Sequence, residues 1–183
     1  ALKEGSFFYA AFIDENKNAS YEICEPVAWD EIQITEDLKQ AAGSADLIIY
    51  GSLASRNHVT RNTLYQLLAK SKAKRLLDVN LRPPFDNEQF VTELLHKSDY
   101  IKLNDEELSS IASWSNKSGN EFELLTWISR HFNCPMVCVT RGSKGAALYL
   151  QGKYFEHAGF KVNAIDTVGA GDSFLASLVA EFS

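Results

Sequence analysis

Residues 166–172, near the carboxyl end of the chain, combine two glycines with a closing aspartate and precede an apolar run. The glycines flank an alanine, and such small residues allow backbone N–H groups to approach an anion. The apolar run 173–182 predicts a helix, whose first amides and dipole would strengthen an anion site. A phosphate there would repel Asp172 unless that residue has a task. One such task is to take a proton from a hydroxyl that attacks phosphorus.

The same residues have a plain structural interpretation, in which the glycines form a turn and Asp172 caps the helix. The pattern alone leaves both interpretations open. A dinucleotide-binding fingerprint is excluded, because Phe174 occupies the position of the third glycine and no strand–helix–strand unit follows. A P-loop is excluded too, since the chain has no Gly-x-x-x-x-Gly-Lys-Ser/Thr segment.

The composition is that of a soluble globular protein, with 183 residues of which 45% are apolar and 23% are charged. The net charge of −6 and the absence of a basic stripe argue against nucleic acid as a partner. No apolar run is long enough to cross a membrane, and no signal-peptide pattern opens the chain. Cys24, Cys134 and Cys138 form neither a disulfide framework nor a metal-ligand spacing. We therefore expect Cys134 and Cys138 to be buried free thiols in a cytoplasmic protein.

The predicted strands and helices that must position the candidate site residues form two groups. Residues 7–13 and 19–24 predict the strands of a hairpin, with a polar turn at 14–18. Beyond it, strand patterns alternate with helix patterns, which is typical of βαβ units in a mostly parallel sheet with helices on both faces. The strands are predicted at 46–50, 75–79, 100–103, 136–140, 146–150 and 154–157, and the helices at 57–72, 88–96, 105–114 and 121–132.

Polar and glycine-rich segments follow these strands. In an open parallel sheet, ligands bind beyond the carboxyl ends of the strands. The segments at such ends are 51–52, 80–82, 104, 140–145 and 166–172. We therefore expect one site along this edge of the sheet, and this expectation does not depend on any single motif.

Residues 166–172, Asp-Thr-Val-Gly-Ala-Gly-Asp, resemble the C-terminal signature of the ribokinase-like, or PfkB, family of carbohydrate kinases. One departure is Ser177, where the family usually has glycine or alanine; it is a mild packing change that does not touch the chemistry. Further segments resemble the family in its order along the chain: 45–53 and 78–84 are similar to the fructokinase-like branch, 104–107 to the Asn-x-x-Glu motif and 140–145 to the nucleotide-phosphate loop. Taken singly, 78–84 also fits a Pro-stiffened loop, 104–107 an N-capped helix and 140–145 a hairpin turn.

The resemblance implies a role for each residue of the glycine loop. Asp172 would be the general base that takes a proton from a sugar hydroxyl and would contact that substrate. The amides of Gly169, Ala170 and Gly171 would form an anion hole for the phosphoryl group in transit. Asp166 and the carbonyl of Val168 match positions that hold a monovalent cation in several members of the family. Whether this chain uses potassium stays open.

The remaining motif residues would bind ATP, Mg²⁺ and the sugar. Asn104 and Glu107 would organise Mg²⁺ through water, because Mg²⁺ keeps part of its hydration shell. Asn80 and Arg82 would contact the substrate, with Arg82 meeting either the phosphoryl group or the sugar. The residues that the resemblance places along the nucleotide are Asn104, Thr140, Gly142, Ser143, Gly145 and Gly171.

The resemblance also implies a division of the chain. Residues 1–30 would form part of a small β lid that covers the sugar, and 31–183 an α/β core that is incomplete at its C-terminal end. The change of pattern falls within residues 25–45. Lids of this family often mediate dimerisation, so a homodimer through the lid is one expectation. Both ends of the chain look cut from something longer.

The function implied is ATP-dependent phosphorylation of a sugar hydroxyl, with fructose as the first candidate. A 2-keto-3-deoxygluconate kinase, or another sugar kinase of the PfkB type, is the alternative. A second alternative is a non-catalytic fragment that binds nucleotide or forms a dimer. The partners expected are a small sugar and ATP, with no nucleic acid and no membrane.

Overall fold

A computed structural model describes residues 10–13, 19–162 and 167–181 of the chain. Strands β1 (Ala10–Ile13) and β2 (Ala19–Glu22) form a two-stranded antiparallel sheet. This pairing confirms the two strands of the hairpin. The first residues of the first predicted strand, 7–9, and the predicted turn at 14–18 lie outside the described residues.

A second sheet has six strands in the order β3-β4-β5-β6-β7-β8. The strands are β3 (Leu47–Gly51), β4 (Lys74–Asp78), β5 (Tyr100–Asn104), β6 (Met136–Thr140), β7 (Ala146–Leu150) and β8 (Lys153–His157). Strands β3 to β6 are parallel, whereas β7 and β8 are antiparallel to their neighbours. The mostly parallel sheet is therefore confirmed, with each strand boundary within one residue of its prediction.

Asparagines begin the four helices that the sequence pattern predicted between strands. The helices are α2 (His58–Lys70), α3 (Glu88–His96), α4 (Asp105–Trp114) and α5 (Glu121–His131), and their caps are Asn57, Asn87, Asn104 and Asn120. Each side chain accepts a hydrogen bond from an amide of the first turn, which satisfies a donor that the helix itself leaves unpaired. None of the helices in the described ranges has the length and apolar character needed to span a membrane.

Two further helices differ from the prediction. Helix α1 (Glu36–Ser44) was not predicted; it is polar and buries none of its side chains fully, so its pattern is weak. Helix α6 (Ala170–Ala180) begins three residues before the predicted start at 173. The glycine-rich segment therefore supplies the first turn of the helix as well as the loop before it.

The two faces of the large sheet are covered differently. Side chains of α2, α3, α4 and α5 pack on one face, against alternate strand residues such as Leu77, Ile101 and Val137. Burying each of these side chains contributes about 1.5–3 kcal/mol. The other alternate residues face the opposite side, where Lys102 of β5 lies against Gly171 in the first turn of α6. The first turn of α6 therefore lies on the face of the sheet opposite to these four helices.

The cysteine predictions hold for the two residues concerned. Cys134 and Cys138 are buried and unbridged. Burial raises the pKa of the Cys134 thiol to about 12 and that of the Cys138 thiol to about 11. Both remain protonated at neutral pH, and low reactivity follows from this.

Candidate active site

The carboxyl ends of β4, β5 and β6 bring the polar motifs together. Asp78 and Lys102 are directly paired in register on β4 and β5, and Asn104 is paired with Thr140 on β5 and β6. Asp78, Asn104 and Thr140 are the last residues of their strands, and Lys102 lies two residues before the end of β5. The edge of the sheet predicted from the sequence therefore carries the motif residues side by side.

Glu107 connects two of the loops at this edge. Its Oε2 accepts a hydrogen bond from the Asn104 amide at 2.8 Å, while Asn104 Oδ1 accepts one from the Glu107 amide at 2.8 Å. This reciprocal capping box begins α4. The second oxygen, Oε1, accepts a hydrogen bond from the Leu81 amide at 2.8 Å. The Asn-x-x-Glu segment is thus an N-capped helix start that also holds the loop after β4.

Burial raises the pKa of the Glu107 carboxyl, and this is the largest influence on it. The amides of Asn104 and Leu81 oppose the rise, and the negative charge of Asp78 adds to it. Both oxygens already accept hydrogen bonds, but a carboxylate has further lone pairs. Glu107 can therefore accept one more hydrogen bond, for example from a metal-bound water.

The loop after β4 has a defined backbone. Ser52 Oγ donates to the carbonyls of Val79 at 2.6 Å and of Asn80 at 3.3 Å. Asn80 has a φ of 42°, a left-handed conformation that asparagine tolerates better than most residues. Arg82 is exposed, and its Nη1 donates to the carbonyl of Leu81 at 2.9 Å. The predicted substrate contacts, Asn80 and Arg82, thus belong to a loop fixed from two sides.

The loop after β6 is a tight turn around a short 3₁₀ helix, Gly142–Lys144. The Arg141 amide donates to the Gly145 carbonyl at 2.8 Å, which closes the turn. Gly142 and Gly145 have φ values of 55° and 85°. Residues 142–144 are exposed, so the predicted phosphate contacts Gly142 and Ser143 are accessible at the edge of the sheet.

The first turn of α6 settles the helix-cap question for Asp172. The N-cap is Gly169, with a left-handed φ of 76°, and Asp172 is the third residue of the helix. Asp172 is exposed, and its carboxylate makes no hydrogen bond within the described part of the chain. Its charge raises the pKa of the Asp78 carboxyl, so it lies within electrostatic reach of the strand ends. Asp172 is therefore not the N-cap of α6, although its charge is favourable in the first turn of a helix.

The predicted anion hole has one amide already engaged. The Ala170 amide donates to the Thr167 carbonyl at 3.1 Å, and the Ser173 amide donates to the Gly169 carbonyl at 2.9 Å. A phosphoryl group would have to displace the first of these bonds to use Ala170. Gly169 has open space where a side chain would be, so an anion could approach the backbone there.

The structure describes only one of the two residues predicted to hold a monovalent cation. Asp166 lies outside the described residues. Val168 is described and is 77% exposed at the start of the glycine turn.

One buried ion pair at this edge was not predicted from the sequence. Lys102 Nζ lies 2.9 Å from Asp78 Oδ1 and 3.1 Å from Oδ2. Burial raises the pKa of the Asp78 carboxyl, while Lys102 and Arg82 oppose the rise. A lysine in the middle of an otherwise apolar strand was the available signal for this pair.

The described residues fit phosphate better than a bare metal ion. Gly142, in the loop after β6, and Gly169, at the start of α6, are both left-handed and have open space where a side chain would be. No group of three or more His, Cys, Asp or Glu side chains within the described ranges could hold a metal ion. Mg²⁺ fits this arrangement when phosphates and waters supply most of its ligands, as is usual for Mg²⁺ in kinases.

Comparison with known proteins identifies the class to which this fold and edge belong. The family model described as pfkB family carbohydrate kinase matches residues 7–183. The chain belongs to the PfkB family of carbohydrate kinases.

Relatives within the family carry fructokinase names. The chain is 27% identical to a fructokinase of Rhizobium leguminosarum bv. trifolii over 90% of its own length and 51% of the relative. It is 31% identical to the probable fructokinase-4 of Arabidopsis thaliana over 75% of its own length and 44% of the relative. The fructokinase of Xylella fastidiosa, solved with bound ATP, superposes with a TM-score of 0.81 at 18% identity over 94% of this chain and 55% of that one. The chain thus spans about half the length of these relatives.

Proposed function

We propose that the protein transfers the γ-phosphoryl group of ATP to a hydroxyl of a sugar, with fructose as the first candidate. The exposed Asp172 carries this proposal. It lies in the first turn of α6, beside a left-handed glycine turn, and no capping bond accounts for it. Family membership and the fructokinase relatives support the same reaction.

Asp172 would act as the general base. An exposed carboxylate without a hydrogen-bond partner in the described residues is available to accept the proton of an attacking hydroxyl. Accepting that proton increases the negative charge on the sugar oxygen as it forms its bond to phosphorus. The same helix start would stabilise the negative charge of the phosphoryl group, because its amides and dipole are directed toward it.

ATP would lie along the edge formed by β5 and β6. We assign its phosphates to Asn104, Thr140, Gly142, Ser143, Gly145 and Gly171. Asn104 and Glu107 would hold Mg²⁺ through water, and the ion when bound would neutralise phosphate charge. Asp166 and Val168 stay candidates for a monovalent cation, and K⁺ dependence is a question for measurement.

The sugar would meet the loop after β4, where Asn80 and Arg82 lie. This loop is held by Ser52 and Glu107, and Glu107 also accepts a hydrogen bond from the Asn104 amide. The preference for fructose derives from the likeness of residues 78–84 and of the relatives to fructokinases. A lid from residues 1–30, a homodimer through it and a cytoplasmic location all stay predictions.

The replacement Asp172→Asn in the intact protein tests the base. We expect kcat to fall by about 10²–10⁴-fold, which is the usual contribution of a general base. The melting temperature should not change, because the side chain is exposed. Asp37→Asn is the matched control: it removes an exposed carboxylate from the first turn of α1, away from the motif segments. ATP-dependent phosphorylation is measured in both variants.

A panel of fructose, 2-keto-3-deoxygluconate, ribose and adenosine then identifies the acceptor. Highest kcat/KM with fructose supports the proposal in full, whereas efficient use of adenosine contradicts the substrate class. Wild-type turnover retained by Asp172→Asn would show that another group is the base. Heat of ATP binding without turnover on any acceptor would favour a non-catalytic nucleotide-binding module.

A further inference from the structure

Lys102 is a buried cation on the side of the sheet that faces α6. It is the third residue of β5, and only 7% of its surface is exposed. Its direct neighbours on the adjacent strands are Asp78 and Cys138, and Leu76 and Met136, nearer the start of these strands, are buried apolar residues of the same face. A charge in such surroundings loses hydration, so its presence calls for a physical reason.

Asp78 is the partner that holds this cation in place. The two residues are paired in register on adjacent strands, and both carboxylate oxygens lie within 3.1 Å of Lys102 Nζ. Both side chains are therefore fixed by rigid strands rather than by loops. The pair adds little net stability, because desolvation of two buried charges offsets most of their attraction. An apolar pair of similar size would serve the core equally well.

The contact above the pair is the first turn of α6. A β-carbon built on Gly171 would lie 3.6 Å from Lys102 Nζ, an ordinary van der Waals distance. The next residue is Asp172, whose charge reaches Asp78. Lys102 thus lies between the strand that leads to Asn104 and the turn that carries the candidate base.

We propose that Lys102, held by Asp78, is a positioning residue for phosphoryl transfer that acts through the first turn of α6. This inference rests on the proposed function. The ammonium lies between the sheet and the Gly171 backbone, and it keeps the turn at a fixed distance from the end of β5. It also places a positive charge beside a turn that has to accept an anion, in surroundings of low dielectric constant.

Three variants of the intact protein separate positioning from simple core packing. Lys102→Met keeps the length of the side chain and removes its charge, and Asp78→Asn removes the charge of the partner. The double variant Asp78→Leu/Lys102→Met replaces both charges with apolar side chains and leaves no buried polar group unpaired. We expect the double variant to unfold at the same denaturant concentration as the wild type, because removal of a whole buried pair is close to neutral.

The kinetic readout decides the role. We expect kcat to fall about tenfold to a hundredfold in Lys102→Met and to stay low in the double variant, since small displacements of reacting groups have effects of this size. KM for the sugar should change by less than about threefold, because the sugar contacts lie on the loop after β4. Recovery of wild-type kcat in the double variant would overturn the inference and leave the pair a packing feature. Unchanged kcat in Lys102→Met would overturn it as well.

Hydrogen exchange provides a readout that needs no turnover. Amides of residues 169–173 should exchange faster in the double variant than in the wild type, while those of α2 should be unchanged. If the wild type phosphorylates no acceptor, the proposed function fails, and exchange alone decides whether Lys102 orders the turn. Equal exchange at 169–173 in both proteins would then refute the inference. The failure of one proposal is thus distinguishable from the failure of the other.

Discussion

Gly145 shows how a single residue shapes the loop after β6. Its φ is 85°, and a β-carbon there would overlap the carbonyl oxygen of His157 and lie 2.5 Å from the amide nitrogen of Gly159. Both are backbone atoms, which cannot move aside as a side chain could. The sequence identified this glycine through a family motif, but the contact with the segment after β8 explains why the position needs glycine.

We therefore expect Gly145→Ala to destabilise the protein by at least about 2 kcal/mol, through strain at a positive φ and overlap with backbone. The measurement is the free energy of unfolding from chemical denaturation. Gly43→Ala is the matched control, because Gly43 lies near the end of α1 with open space around it. That substitution should stabilise the protein by about 0.5–1 kcal/mol, since alanine favours a helix over glycine. Equal effects of the two substitutions would contradict the steric argument.

Asp172 and the pair formed by Lys102 and Asp78 show what can and cannot be predicted from the sequence at the scale of residues. Asp172 could be singled out because its motif is contiguous, and only the assignment of Gly169 as N-cap removed the competing helix-cap interpretation. Lys102 and Asp78 could not be paired in advance, because 24 residues separate them. Their contact depends on the register of two strands, which is a property of the folded sheet.

At the scale of elements, a clamp around Arg56 joins the segment after β2 to the segment between β3 and α2. Arg56 Nε and Nη2 donate to the two carboxylate oxygens of Asp30, each at 2.8 Å, and Nη2 also donates to the Cys24 carbonyl at 2.8 Å. The guanidinium carbon lies 4.2 Å from the centre of the Phe85 ring, in the segment that follows Arg82. This clamp therefore connects the chain leaving the hairpin to the loop that we assign to the sugar.

The pKa of Asp30 makes the clamp sensitive to acid. Burial raises this pKa, but hydrogen bonds from Arg56 and the Val27 amide and the charge of Arg56 outweigh it, so the pKa falls below its ordinary value of 3.8. Folding thus favours the ionised form of Asp30. Its contribution to stability is complete above the ordinary pKa and is lost as the pH falls through the lowered one.

We expect Asp30→Asn to lower the free energy of unfolding by about 3 kcal/mol at neutral pH, because it leaves Arg56 buried without its counter-charge. The difference from the wild type should be constant from about pH 5 to 8 and shrink below about pH 4. Denaturation across this range measures it. Glu36→Gln, which breaks an exposed ion pair with Lys39, is the control and should have no measurable effect. A difference that is the same at pH 3 and pH 7 would rule out this linkage.

Elements were predicted well where polar caps and apolar periodicity agreed. Strands β6 and β7 and helices α3 and α4 have the predicted boundaries, because asparagine caps begin the two helices and a glycine-containing turn separates the two strands. Helix α1 has a threonine cap but no fully buried residue, so tertiary context rather than pattern determines it. The arrangement of the Arg56 clamp was beyond reach, since it joins residues 26 apart through side chains.

At the scale of the whole molecule, the order of the strands decides which side of the large sheet is stabilised by helices. Strands β3 to β6 follow one another across the sheet, and right-handed crossovers in a single direction place their connecting helices on one face. In β3, at the edge of the sheet, the face away from these helices is partly open to solvent. Ile101 faces the packed helices and is fully buried, whereas Ile49 of β3 lies on the other face and is 46% exposed.

This asymmetry predicts unequal costs for one substitution in two strands. Ile101→Ala should lower the free energy of unfolding by about 2–5 kcal/mol, because it leaves a cavity among packed helices. Ile49→Ala should lower it by less than about 1 kcal/mol, since much of that side chain already contacts solvent. Denaturant unfolding of both variants under the same conditions measures the two losses in the free energy of unfolding. Equal losses would contradict the difference in burial between these two positions.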